Sequence, residues 1–202
     1  MSEILILASI TLLAAISPGP DMIVVMKNAL KSKNLGYMTA LGVWLAILIH
    51  VSYCIAGIGL IISQSLLLFS IIKTLGALYL LYIAYQLIRS PRWEMQAVEK
   101  SQNQSLFSAF REGFITNAMN PKATIFFLSV FTQVIDPQTS ILTQSLYGLM
   151  MASIVGLWFM MLTTILNFSS LKKHISSVQY YLNKVMWGLL AFLGIKILLS
   201  SK

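Results

Sequence analysis

The sequence predicts an all-α integral membrane protein of about six transmembrane helices, arranged as two inverted three-helix repeats with broken first and fourth helices. Three observations carry this. First, the 202 residues are 57% hydrophobic and 10% charged, with a mean hydropathy of +0.81, whereas soluble domains carry about 25% charged residues. Second, no Asp, Glu, Lys or Arg occurs from Asn34 to Ile72 or from Pro137 to Leu171. A helix needs roughly 20 apolar residues to cross the hydrocarbon core. Third, the apolar runs are continuous rather than alternating. Lipid requires backbone groups to be satisfied internally, so this pattern selects helices over a barrel.

Spans fall at about 4–25, 40–62, 67–88, 114–134, 143–166 and 182–200. The N-terminal run lacks a basic region and carries Glu3, so it reads as a retained first span rather than a signal peptide. Lys27, Lys31 and Lys33 fall in the first loop, Arg89, Arg92, Lys100 and Arg111 in the third, and Lys172 and Lys173 in the fifth. The second loop, around 63–66, and the fourth, around 136–142, have no basic residue. The odd-numbered loops are therefore expected in the cytoplasm, with both termini outside. Lys202 disagrees mildly, and a five-span form with the N-terminus inside survives if the first segment does not cross. The chain reads as one transmembrane domain, residues 1–202, with repeat one at about 1–88, a cytoplasmic loop at about 89–112 and repeat two at about 113–202. Three spans per half is an odd number, so the second half enters with opposite orientation, as in many secondary transporters.

The chemistry concentrates in two interrupted segments. In the first, Ser17-Pro18-Gly19-Pro20-Asp21 places two prolines around a glycine within an apolar run. The prolines remove backbone donors and break the helix, and Gly19 is expected to supply unusual dihedrals. The new helix N-terminus after the break suits a carboxylate. Asp21 is the one acid placed within a span, where a charge is costly and usually functional. A capping role alone is the alternative. The second break, Asn117-Ala118-Met119-Asn120-Pro121-Lys122, puts Lys122 after Pro121 as Asp21 follows Pro20. An Asp21–Lys122 ion pair near the midplane is expected, since pairing limits the cost of burying either charge. Snorkelling of Lys122 to the interface is the alternative. Asn117 and Asn120 would bond substrate or simply break the helix.

Other candidates are weaker. His50 lies mid-span and would relay protons or hydrogen-bond between helices. Tyr82 and Gln86 lie four apart on the third span. Lys73 and Lys184 read as snorkelling residues. Gly42 with Ala46, and Ala152 with Gly156, have the spacing of close helix contacts. Cys54 and the methionines read as packing residues. The single cysteine excludes an intramolecular disulfide or a two-cysteine relay. The net charge of +8 lies in short connectors between spans, which argues against nucleic acid. His50 and His174 are the two histidines, and no His-Glu-x-x-His pair or Gly-x-Ser-x-Gly elbow occurs, so no enzyme is expected. One in-span acid is too few for a dedicated metal site, and no cofactor is expected.

The chain resembles the lysine-exporter (LysE) superfamily, in its RhtB-like branch of homoserine, threonine and neutral amino-acid exporters. The matching residues are Ser17-Pro18-Gly19-Pro20-Asp21-Met22, the run Gly113-Phe114-Ile115-Thr116-Asn117-Ala118-Met119-Asn120-Pro121-Lys122-Ala123, Phe126-Phe127, Tyr79-Leu80-Leu81-Tyr82-Ile83-Ala84 and Leu193-Gly194-Ile195. The likeness spans nearly the whole chain. It departs at Ala84, where the family often has glycine, and at Thr132-Gln133, where it often has Pro-Gln. The resemblance implies an exporter of small neutral amino acids in the bacterial inner membrane, driven by the proton gradient. Its partners would be substrate, protons, the lipid bilayer and, for so small an exporter, a second copy in a homodimer. Export of another small metabolite or cation, or a structural membrane role, is the alternative. The substrate, the coupling and the oligomer are open at this level.

Overall fold

In a computed structural model of the chain, the structure describes residues 2–64, 104–135 and 138–168, with scattered helical positions between 71 and 89 and between 184 and 195. Most of the expected third and sixth spans lies outside the described residues, as do Lys73, Gln86, Arg92, Asp136, Lys172, Lys173 and His174. The described residues form six helices, α1 (Ser2–Ile16), α2 (Pro20–Lys31), α3 (Lys33–Gln64), α4 (Leu106–Ala118), α5 (Pro121–Gln133) and α6 (Ile141–Leu166). They are all-helical, in agreement with the expected fold class.

Each boundary has a local cause. The helix ladder of α1 runs to Ser17, whose N–H reaches the Leu13 carbonyl at 3.1 Å. Pro18 and Pro20 then remove two donors, and α2 restarts with Pro20 in its first turn. The two helices meet at a bend of 60°. Gly19 lies at φ −172°, an extended conformation open to any residue, so the expectation of unusual glycine dihedrals is corrected. Its lack of a side chain serves space instead, since a Cβ there would lie 3.3 Å from the Lys122 ammonium.

α2 runs on through Lys27 to Lys31, and α3 starts at Lys33. The expected first loop therefore shrinks to Ser32, whose hydroxyl accepts from the Leu35 N–H at 3.2 Å. Likewise α4 begins at Leu106, inside the expected 89–112 loop. Ser105 caps it by accepting from Ser108 N at 3.1 Å, and the helix carries Arg111 and Glu112 up to the second break. Arg111 and Glu112 separate this first part of the helix from the apolar run that begins at Phe114. α5 opens with Asn120 as N-cap and Pro121 in the first turn.

α3 is the central helix, packing on α2, α4, α5 and α6, while α1 lies against α6. Glycines permit the closest crossings. A Cβ on Gly42 would strike the Phe110 carbonyl, and one on Gly113 the Thr39 carbonyl, so α3 and α4 meet backbone to backbone. Gly148 and Gly156 of α6 receive Val51 and Trp44 of α3. The core between these helices includes Met26, Val43, Ile47, Phe127, Phe131 and Met151. The outer faces of α3 and α6 remain apolar, with Leu45, Ile49, Leu146, Leu149 and Leu157 exposed. Helices apolar on both faces suit lipid rather than water, and α3 and α6 are long and apolar enough to span.

Candidate functional site

The two breaks lie side by side, and each sends a side chain into the other. Asp21, in the first turn of α2, accepts at Oδ2 from the amides of Asn117, 3.0 Å, and Asn120, 2.8 Å. Lys122, in the first turn of α5, returns the exchange. Its ammonium donates to the Ser17 hydroxyl at 2.5 Å, the Ser17 carbonyl at 3.2 Å and the Pro18 carbonyl at 3.0 Å. Those carbonyls lie in the gap between α1 and α2, outside either helix's hydrogen-bond ladder, and a lysine with three N–H groups matches three acceptors. Asn120 works on both sides, since its Oδ1 also caps the Lys122 N–H at 3.0 Å.

The structure thus gathers Ser17, Pro18, Gly19, Pro20, Asp21, Asn117, Asn120, Pro121 and Lys122 into one locus. It corrects the expected pairing within it. Asp21 and Lys122 feel one another's charge but form no ion pair; among the described residues the ion pair is Lys27–Glu112. The reason lies in the breaks. Two orphaned carbonyls and a hydroxyl offer Lys122 three acceptors, and two asparagine amides offer Asp21 two donors. Each charge is therefore solvated by dipoles of the opposite break. Lys122 does not snorkel to the interface.

His50 supports the second break from α3. It is 2% exposed, and its Nε2 lies 3.0 Å from the Asn117 carbonyl. A carbonyl only accepts, so Nε2 carries the proton and Nδ1 accepts from the Tyr53 hydroxyl at 2.5 Å. The neutral imidazole is satisfied at both nitrogens, stacks on Phe127 with ring centroids 5.9 Å apart, and locks the end of α4. This matches the interhelical hydrogen-bonding alternative.

A cavity of about 50 Å³ opens beside the breaks, room for roughly three or four waters. Its polar wall is Ser17, Asp21, Asn117, Asn120 and Lys122, and its apolar wall includes Ile47, Ala123, Phe126, Phe127 and Phe159. Among the described residues, three buried polar atoms on its lining have no hydrogen-bond partner: Asp21 Oδ1, Asn117 Oδ1 and Thr11 Oγ1. Two are obligate acceptors, and a buried acceptor left unmade costs about 1–3 kcal/mol. The N-terminus of α2 has no side-chain cap, whereas that of α5 is capped by Asn120.

Thr11 and Glu112, with the Asn28 and Gln104 that bind Glu112, are not singled out by the sequence. Thr11 gave no signal, being one threonine in an apolar run. Glu112 looked like one more charge of a polar loop; continuing the helix of Asn117 backwards through Phe110-Arg111-Glu112-Gly113 would have placed it near α2. It is bound there by Lys27, by Asn28 at 3.0 Å and by Gln104 at 3.1 Å.

A family model described as LysE type translocator matches residues 12–201. The chain is 26% identical to the threonine efflux protein of Salmonella typhimurium (strain LT2), covering 96% of each chain. It is 27% identical to the threonine efflux protein of Escherichia coli (strain K12), covering 97% of each. It is 29% identical to YrhP, an uncharacterized membrane protein of Bacillus subtilis (strain 168), covering 99% of this chain and all of that one. No solved structure matches.

Proposed function

The chain belongs to the LysE-type translocator family, and from that premise we propose that it exports a small neutral amino acid across the bacterial inner membrane, with Asp21 at the centre of the substrate site. The family makes it a membrane transporter rather than an enzyme. The observation that carries the finer reading is the pair of unpartnered, buried acceptors, Asp21 Oδ1 and Asn117 Oδ1, on one cavity. An ammonium group is the ligand such a pair lacks. Lys122 and the uncapped N-terminus of α2 supply positive charge for the carboxylate. The small and aromatic residues opposite favour a short, weakly polar side chain. Threonine, named in two relatives, has that size, and its hydroxyl would find Thr11.

Transport requires the site to open to each face in turn. In this reading the two halves are inverted repeats, the odd-numbered loops face the cytoplasm, and the halves rock about the crossed breaks. Substrate ammonium binds at Asp21, and its departure outward lets Asp21 take a proton. Asp21 would therefore be the residue that couples export to the proton gradient.

The test is efflux from cells preloaded with labelled amino acids, comparing the parent, Asp21→Asn and empty vector. Asparagine keeps the acceptor for Asn117 and Asn120 but not the charge. Export of one neutral amino acid that is lost in Asp21→Asn and collapsed by an uncoupler supports the reading. Export in Asp21→Asn with unchanged proton dependence overturns the role of Asp21. No export of any amino acid, from protein shown to be in the membrane, overturns the substrate class.

A further inference from the structure

Asp21 and Asn117 are the first of three polar rungs that join α2 to α4 and to Gln104 just before it. Seven residues along α2, Asn28 donates from Nδ2 to Glu112 Oε2 at 3.0 Å, and its neighbour Lys27 pairs with Glu112 Oε1. Beyond that, Lys31 donates to Gln104 at 2.8 Å. Positions rise along α2 as they fall along α4, so the two half-helices run antiparallel from the breaks to the basic end of the molecule. Gln104 also donates to Glu112 at 3.1 Å, which joins the second and third rungs. The cavity reaches away from these rungs, on the other side of the breaks. Its walls come from α1, α3, α5 and α6, and they stop at Met22 on α2 and Asn117 on α4.

Among the described residues, a polar zipper therefore closes the site toward one face, and the cavity lies toward the other. We propose that Glu112, with Lys27, Asn28 and Gln104, is the inner gate of the transporter, closed in this structure, and that it must part to admit an amino-acid zwitterion from the basic face.

Two further observations fit a gate better than a fixed brace. The Lys27 and Glu112 side chains keep 40% and 32% of their exposure, so water or an incoming zwitterion can compete for them and the pair is readily broken. Asn28 is fully buried, yet its Oδ1 has no partner while its Nδ2 serves both Glu112 and Thr39. A contact held permanently gains nothing from burying an unpaired amide oxygen; one that must also open has less to lose.

The proposal rests on the exporter reading for its direction, but its test needs no substrate. In a Cys54→Ala background, Ala123→Cys places a thiol on the cavity wall. Its reaction with a charged, membrane-impermeant thiol reagent is timed in intact cells and in inside-out vesicles. The gate predicts faster labelling from the outer face in the parent. Glu112→Gln should raise the inner-face rate, by up to about fivefold, the change expected for a partly exposed charged pair. Bridging Lys31→Cys to Gln104→Cys with a bifunctional maleimide should suppress inner-face labelling and leave outer-face labelling intact; this arm decides the matter if Glu112→Gln does not fold. Faster inner-face labelling in the parent, or inner-face rates indifferent to both changes, overturns the gate. Because labelling is independent of transport, a gate that behaves as stated in a protein that exports no amino acid would sink the substrate assignment alone.

Discussion

The α3–α4 crossing gives the sharpest mechanical prediction. In Gly113→Ala the new methyl would press into the Thr39 carbonyl oxygen and lie 2.9 Å from both its carbonyl carbon and its Cγ2. Carbon atoms settle at about 3.5–4.0 Å, so α4 must retreat from α3 by about 1 Å. The obstacle is backbone, which cannot rotate aside. α2 stays seated on α3, where Gly36 lies against Ala29, so the retreat separates α4 from α2 as well. The Asn117–Asp21 bond, 3.0 Å at present, would then stretch beyond hydrogen-bond range. Overpacking of this kind costs about 1–3 kcal/mol, and loss of a bond to a charged group about 1.5–3 kcal/mol. At roughly 2–4 °C per kcal/mol, the midpoint of thermal unfolding in detergent should fall by about 5 °C or more, and efflux should fall about tenfold. Gly42→Ala should act alike through Phe110. The double variant should cost less than the sum, because one displacement relieves both clashes. Gly57→Ala is the control, since a Cβ there meets nothing within 4 Å; it should be neutral or slightly stabilising. A Gly113→Ala protein with parental melting and parental efflux would refute both the close crossing and its coupling to the site.

Lys122→Met should strand the Ser17 and Pro18 carbonyls and the Ser17 hydroxyl, lowering stability by roughly 2–4 kcal/mol. Lys122→Arg should not restore it, because a planar fork does not fit three converging acceptors; a Met variant that melts with the parent would show that the break needs no donor. Tyr53→Phe removes the donor to His50 Nδ1 and should cost about 1 kcal/mol, read as a fall of roughly 2–4 °C in melting temperature, while no fall would mean that this bond adds nothing to stability. Glu112 predicts a pH effect. Burial acts to raise its carboxyl, but the hydrogen bond from Lys27, those from Asn28 and Gln104, and the Lys27 charge together hold it below the ordinary value of 4.5. The folded value is thus the lower one, so this contribution is present above about pH 4.5 and is lost as pH falls through the folded value. Melting followed downward from pH 6 should show that loss in the parent and less of it in Glu112→Gln; identical profiles would mean the carboxylate gains nothing from its partners.

Much of the fold was legible because the signals are local. Pro18, Pro20 and Pro121 break a helix whatever surrounds them, and the break positions, the proline-led restarts of α2 and α5 and the apolar span of α6 followed from sequence to within a few residues. The polar turn of α4 was not legible, since Arg111 and Glu112 read as solvent-facing until α2 supplies their setting. Nor was the near absence of the first loop, because lysines at 27, 31 and 33 look alike in a loop or on a helix.

The order of residues is enough to place the chain in lipid, to require two broken helices, and to set Asp21 and Lys122 after the breaks in matching places. Which groups those charges meet depends on how the helices pack. A proline breaks a helix through its own covalent geometry, but the donor that reaches the carbonyls of the break depends on how closely and at what rotation two distant helices cross. Gly42 and Gly113 set that approach. It brings Asn117 to Asp21, Lys122 to Ser17 and Pro18, and Glu112 to Lys27, contacts that span 85 to 105 positions of chain.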